Sequence, residues 1–311
     1  MYIKSDRSLR VTLAATSENQ LKNHKLTTKV GHSMEPSQNR GQLVIIGGAE
    51  DKEGDCTILR EFVRRAGGVN ARIAVLTAAT SLPGEVGSQY IRIFERLGAE
   101  DVCVIDTDYR EDADRSENLE KAEKATGVFF TGGDQARIID LIKDTKLDSV
   151  IHRRYNEGIV VGGTSAGAAM MPDMMIVEGK SETNPSVDAV EMGPGMGFLP
   201  GIVVDQHFAQ RGRLGRLISA LVQQPAVLGI GIDENTAVIV TGDEFEVVGQ
   251  GAITVVDESG TTHNNLEGLL KDEPLAVCGV KLHILPHGYR FNWRTRQPII
   301  ATPNLVGQQT A

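Results

Sequence analysis

The chain has only three cysteines in 311 residues, Cys56, Cys103 and Cys278. An odd number at wide spacing builds neither a disulfide framework nor a metal site. All three are expected to be small buried residues of a reducing compartment. No window approaches the ~18 unbroken apolar residues of a membrane span. The first forty residues lack the apolar stretch of a signal peptide. Seven basic residues stand there against three acids, and residues 1–40 are expected to form a polar, loosely ordered extension. Basic charge is scarce overall: 32 lysines and arginines face 41 acids, for a net charge of −9. That balance argues against nucleic acid as a partner. No dinucleotide fingerprint or P-loop is present. The expectation is a cytoplasmic protein without membrane contact.

What the chain does have is alternation, and 41% hydrophobic residues, enough for one large core. "QLVIIGG" (42–48), "RIAVLT" (72–77), "DVCVID" (101–106), "GVFFTGGD" (127–134) and "GIVVGG" (158–163) read as short strands, apolar on both faces. Between them, "CTILREFVRRAGG" puts Ile58, Phe62 and Ala66 on one helical face, with Gly67 as a stop signal. Tyr90, Phe94 and Leu97 share another face, and "QARIIDLIKDT" and "LDSVIHRRYNEG" are helical. The pattern predicts an α/β fold, a mainly parallel sheet with helices on both faces. Sites in such folds lie beyond the carboxyl ends of the strands. The pairs Gly47-Gly48, Gly132-Gly133 and Gly162-Gly163 are expected to line one crevice there. After about Thr236 short strands joined at Gly-Asp and Gln-Gly turns predict a β-rich, antiparallel C-terminal part. Residues 41–311 are read as one domain.

The sequence "IVVGGTSAGAAMM" places Ser165 in a G-x-S-x-G pattern between a strand and a helix, the setting of a nucleophile elbow. A serine nucleophile needs a base. Of seven histidines, His24 and His32 fall in the extension, His152 in a helix beside two arginines and expected at a solvated face, and His263, His283 and His287 in the β-rich part. His207 instead follows the apolar segment 202–204, at the expected strand edge of Ser165. An orienting carboxylate completes such a set. Asp233 and Glu234 follow the apolar strand 227–232. Asp173, Glu178, Glu182, Asp188 and Glu191 lie between the serine and the histidine, where an α/β-hydrolase keeps its acid, in a stretch read mostly as loop. The residues alone leave the acid open, with a modest preference for Glu234.

Together, "VIIGGAEDK", "FFTGGDQ", "GGTSAGA", "DQHFAQRGRLGRL" and "GIGIDENTA" closely resemble the cyanophycinases, serine peptidases related to aspartyl dipeptidase, in consistent order from about Gly41 onward. The resemblance implies a fold like that of the class I glutamine amidotransferases (flavodoxin-like), whose elbow nucleophile is cysteine. It implies Ser165 as nucleophile, His207 as base and Glu234 as orienting acid, with the backbone N–H groups of Gly133 and Ala166 as oxyanion hole. The implied substrate is cyanophycin, multi-L-arginyl-poly-L-aspartate, cut in its backbone to β-Asp-Arg dipeptides. Such a substrate offers guanidinium and carboxylate groups. Asp205 is expected to pair with guanidinium, Gln206 to donate and accept, and Arg211, Arg213 and Arg216 to grip carboxylate. Gln135 is a further expected pocket residue. No metal or cofactor is expected, and the resemblance implies a homodimer. The rival readings are an α-aspartyl dipeptidase on the same fold, and a non-catalytic nucleotide or anion binder using the glycine turns.

Overall fold

Strand β1 (Leu43–Ile46) is buried on both faces and sends alternate residues into two different cores: Leu43 and Ile45 into one, Val44 and Ile46 into the other. A strand of this kind needs cover on both sides. The computed structural model describes residues 40–224, 226–270 and 273–300. The expected extension over residues 1–40 therefore lies outside the described residues, apart from Arg40.

The elements run β1, α1 (Thr57–Arg65), β2 (Arg72–Leu76), α2 (Pro83–Arg96), β3 (Asp101–Ile105), α3 (Ser116–Lys124), β4 (Gly127–Phe130), α4 (Gln135–Ile142), α5 (Lys146–Asn156), β5 (Val160–Thr164) and α6 (Ala166–Ala169). The β-hairpin β6 (Met174–Gly179) and β7 (Val190–Pro194) follows, then β8 (Ile202–Gln206), α7 (Leu214–Gln223) and β9 (Leu228–Ile232). The remainder is strand: β10 (Thr236–Thr241), β11 (Glu244–Gly249), β12 (Ala252–Asp257), the short pair β13 (His263–Asn264) and β14 (Val277–Cys278), β15 (Lys281–Pro286), β16 (Arg290–Asn292) and β17 (Gln297–Ile299).

The large sheet has nine strands in the order β17-β16-β11-β10-β1-β5-β4-β2-β3. The β1-β5-β4-β2-β3 half is parallel, and β10, β11, β16 and β17 extend it antiparallel. Helices α1 and α2 cover one face through Phe62, Tyr90 and Phe94. Helices α4 and α5 cover the other through Ile138, Ile142, Leu147 and Ile151. The fold is thus α/β with a mainly parallel core and a β-rich C-terminal part, as the alternation predicts.

Three local expectations are corrected. Strands β8 and β9 do not join the sheet of Ser165. Both edges of β1 are already taken, by β5 and β10, so β8 and β9 pair with each other and build a second sheet, β15-β12-β9-β8. Of the cysteines, only Cys56 is buried; Cys103 is half-buried and Cys278 exposed. His152 is not on a solvated face: its ring stacks on Phe198 at 4.1 Å and lies 2.9 Å from the Met196 carbonyl.

Candidate active site

At the end of β5 the chain turns at Ser165 with φ 52° and ψ −109°. L-residues rarely hold this conformation, and it persists only when the surroundings over-determine it. Here the Ser165 amide donates to Ile46 O at 3.0 Å, and the amides of Ala168 and Ala169 donate to Ser165 O at 3.0 and 2.9 Å. The flanking glycines are there because of close backbone approach. A Cβ on Gly163 would collide with the Gly167 carbonyl, and one on Gly167 with the Phe130 carbonyl. The following helix α6 has only four residues, so its dipole is small.

The second sheet delivers the histidine. His207 follows β8, and its amide donates to Gly47 O at 2.8 Å. Its ring stands directly on the Cα of Gly48 (φ 97°), where any Cβ would overlap the imidazole. Ser165 Oγ lies 2.9 Å from His207 Nε2, and His207 Nδ1 lies 2.6 Å from Glu234 Oε1. An ionised carboxylate only accepts, so Nδ1 carries the hydrogen and Nε2 turns its lone pair to the serine hydroxyl. Burial, the largest influence, holds the His207 pKa below the ordinary histidine value. The hydrogen bond that the ring donates to Glu234 opposes this, and the charge of Arg211 adds to the lowering. The ring is therefore neutral at neutral pH, the state a base requires.

Glu234 sits in the turn between β9 and β10, held by Asp233, the other acid that the sequence offers there, and by Gln210, which sequence reasoning did not single out. Asp233 accepts from the Ala209 amide at 3.0 Å and the Ala252 amide at 3.1 Å. Gln210 accepts from the Glu234 amide at 3.0 Å. The adjacent acids thus separate: Asp233 ties down the turn and Glu234 faces the imidazole. On the other side of Ser165, a Cβ on Gly132 would lie 3.3 Å from Ser165 Cβ. Among the described residues the amides of Gly133 and Ala166 donate to no protein acceptor. A cavity of 820 Å³ opens over the serine, lined among others by Gln135, Glu178, Glu191, Gln206 and Arg211.

The sequence model of Peptidase family S51 matches residues 43–248. The chain belongs to peptidase family S51. It is a serine peptidase. This S51 chain is 42% identical over 262 residues to a cyanophycinase of Geminocystis herdmanii, covering 84% of this chain and 96% of that one. It is also 42% identical over 259 residues to a cyanophycinase of Trichormus variabilis, covering 83% and 87%. The resemblance read from the motifs is borne out. The fold is shared with the crystal structure of a peptidase from an acI-B1 Actinobacterium at a TM-score of 0.60, with 21% identity over 81% of this chain and 97% of that one.

Within this S51 fold the sequence-selected residues separate into two groups. Ser165, His207 and Glu234 stand in one hydrogen-bonded line. Gln135, Gln206, Arg211, Arg213 and Arg216 line the cavity, as do Gly133 and Ser165. Gln135 directs its amide nitrogen at Val177 O, at 2.5 Å, leaving its oxygen unengaged by that contact. Asp205 is the correction. It is 1% exposed and already forked by Arg216, whose Nε lies 2.7 Å from Oδ2 while a second guanidinium nitrogen donates to Oδ1. It also accepts from the Gln206 amide and lies 3.4 Å from Arg213. Its guanidinium partner is internal, because a carboxylate buried this deeply must be paired. Arg213 in turn donates to Gln206 O at 2.5 Å and to Gln206 Oε1 at 3.0 Å, and burial lowers its pKa to about 10. Arg211 is exposed and, among the described residues, carries no ion pair. Gly162-Gly163 lies inside β5 and not at its end. Gly162 makes room for Phe62 and Phe129, so this pair serves packing.

Proposed function

We propose that this S51 peptidase hydrolyses cyanophycin as an exopeptidase, releasing β-Asp-Arg dipeptides through an acyl-enzyme on Ser165. The observation that carries the reading is the line Glu234–His207–Ser165 at 2.6 and 2.9 Å under the cavity. In this account His207 Nε2 takes the Ser165 proton as Oγ attacks a backbone carbonyl of the polymer. The amides of Gly133 and Ala166 hold the developing oxyanion, a contribution on the order of 3 kcal/mol per donor in other proteases. His207 then protonates the departing amine, and water, deprotonated by the same ring, releases the acyl group. Glu234 keeps the ring in the tautomer that accepts from serine. As part of the same reading the protein is a cytoplasmic homodimer, which sedimentation of the purified chain checks.

The charges around the cavity suit a substrate that carries both signs. Arg211 offers a free fork to carboxylate. With Asp205 engaged by Arg216, the guanidinium of the substrate falls to Glu178 and Glu191. These stand opposite each other across the β6–β7 ladder and line the same cavity. Like charges directly opposite on a hairpin repel, and a cation between them relieves that repulsion. A small α-aspartyl dipeptide lacking arginine would leave this acidic pair unused.

The test is digestion of purified cyanophycin, with products identified by mass. Wild-type protein should yield β-Asp-Arg, and Ser165→Ala should yield none while keeping its fold. Cleavage of α-aspartyl dipeptides with inert cyanophycin would favour the dipeptidase instead.

A further inference from the structure

Glu50 is 5% exposed, belongs to no step of the proposed chemistry, and lies beneath the nucleophile turn. Its Oε2 accepts from the hydroxyl of Thr164, the residue immediately before Ser165, at 2.5 Å. Its Oε1 accepts from the Tyr90 hydroxyl, and Lys52 Nζ stands 3.5 Å away. Burial first, and then the Glu50 charge, push the Tyr90 pKa well above the ordinary tyrosine value, so the phenol is a donor. Burying a carboxyl group is costly, and an apolar side chain would fill the same space more cheaply. The cost points to a role beyond filling space.

The chain reaches this place by an unusual path. Gly48 and Ala49 both have positive φ, 97° and 47°, which turns Glu50 inward under the elbow. The same loop meets the other two members of the site. Gly47 O accepts from the His207 amide, and Gly48 O accepts from the Asn235 amide at 2.8 Å. The Asp51 amide donates to Asn235 Oδ1 at 2.9 Å. One stretch of five residues thus bonds to the neighbour of Ser165, to His207 and to the neighbour of Glu234. We propose that Glu50 is a positioning residue: through Thr164 it anchors the elbow to this loop, and so fixes the strained turn that aims Ser165 Oγ at His207 Nε2. The inference rests on the reading of Ser165 as nucleophile.

The experiment compares Thr164→Val, Thr164→Ser and Glu50→Gln by three measurements: the rate of labelling by a small phosphonofluoridate, kcat and KM on a β-Asp-Arg oligomer, and Tm. Valine keeps the shape of threonine and removes the hydroxyl. It should lower kcat and labelling together by about 10- to 100-fold, the scale of a misplaced reacting group, with KM unchanged. Serine, which keeps the hydroxyl, should recover most of the loss. Glu50→Gln keeps one acceptor oxygen and should fall between. A purely structural role would lower Tm and leave kcat and labelling of the folded protein at wild-type values, which overturns the proposal. If Thr164→Val does not fold, Glu50→Gln decides by the same criteria. Wild-type protein that resists labelling would overturn the nucleophile assignment and this inference with it. Equal labelling of wild type and variants would overturn this inference alone.

Discussion

Ser165 holds a backbone conformation that costs on the order of 1–3 kcal/mol, with its hydroxyl 2.9 Å from a buried imidazole. Two residue-scale outcomes follow. His207 must be neutral to act as base, and its pKa lies below the ordinary value of 6.5. A plot of kcat/KM against pH should therefore rise through a midpoint below 6.5 and stay high above it. Glu234 raises that pKa, so Glu234→Gln should move the midpoint lower still and cut kcat by roughly 10²- to 10⁴-fold. A midpoint that stays put or rises would contradict this assignment of the acid. Asp205→Asn tests the buried pair instead. With Arg216 only 5% exposed, removing its counter-charge should cost up to about 3–5 kcal/mol and lower Tm by on the order of 10 °C. Turnover of guanidinium-bearing and guanidinium-free substrates should fall alike. A selective loss on arginine-bearing substrates at unchanged Tm would return Asp205 to the substrate.

Among the elements, the hairpin β6–β7 is the part the sequence hid. "MMIVEG" and "VEMGP" are short, and separated by ten residues rich in polar and turn-forming types. Local pattern alone therefore reads loop. What makes them strands is pairing with each other and packing of Ile176 and Val190 against α7 residues such as Leu217, which is tertiary context. The parallel strands were legible because all but the edge strand β3 are largely buried on both faces and their helices have a clear apolar side. The placement of Ser165 at a strand-to-helix turn was legible, as was that of His207 at the end of an apolar strand. The engagement of Asp205 by Arg216 was not, since an arginine eleven residues away reads equally well as a ligand for substrate. If Glu178 and Glu191 grip guanidinium, Glu178→Gln with Glu191→Gln should raise KM for a β-Asp-Arg oligomer by about 3- to 10-fold, the range of exposed ion pairs. The analogue carrying neutral citrulline in place of arginine should be unaffected. An equal change on both substrates would assign the pair to hairpin stability.

For the whole molecule, the site exists because two sheets meet. The nine-stranded sheet brings Ser165 and the Gly47-Gly48 turn, the four-stranded sheet brings His207, and the turn leading from β9 into β10 brings Glu234. Backbone bonds join them: His207 to Gly47, Asn235 to Gly48, Phe208 to Ile232. Among the described residues no helix is long and apolar enough to cross a membrane. The family match begins at residue 43, so a chain beginning at Asn39 should keep the kcat of the full protein on a soluble oligomer. A large loss would assign the first residues a part in the chemistry.

The central claim is that Ser165 is acylated during turnover. Acid quenching within the first turnover of a β-Asp-Arg oligomer, followed by peptide mapping by mass, tests it directly. The account predicts an acyl adduct on the peptide that carries Ser165, formed by wild-type protein, accumulating in Glu234→Gln if deacylation is the slower step, and absent from Ser165→Ala. Turnover by Ser165→Ala, or an adduct carried by any other residue, would contradict it.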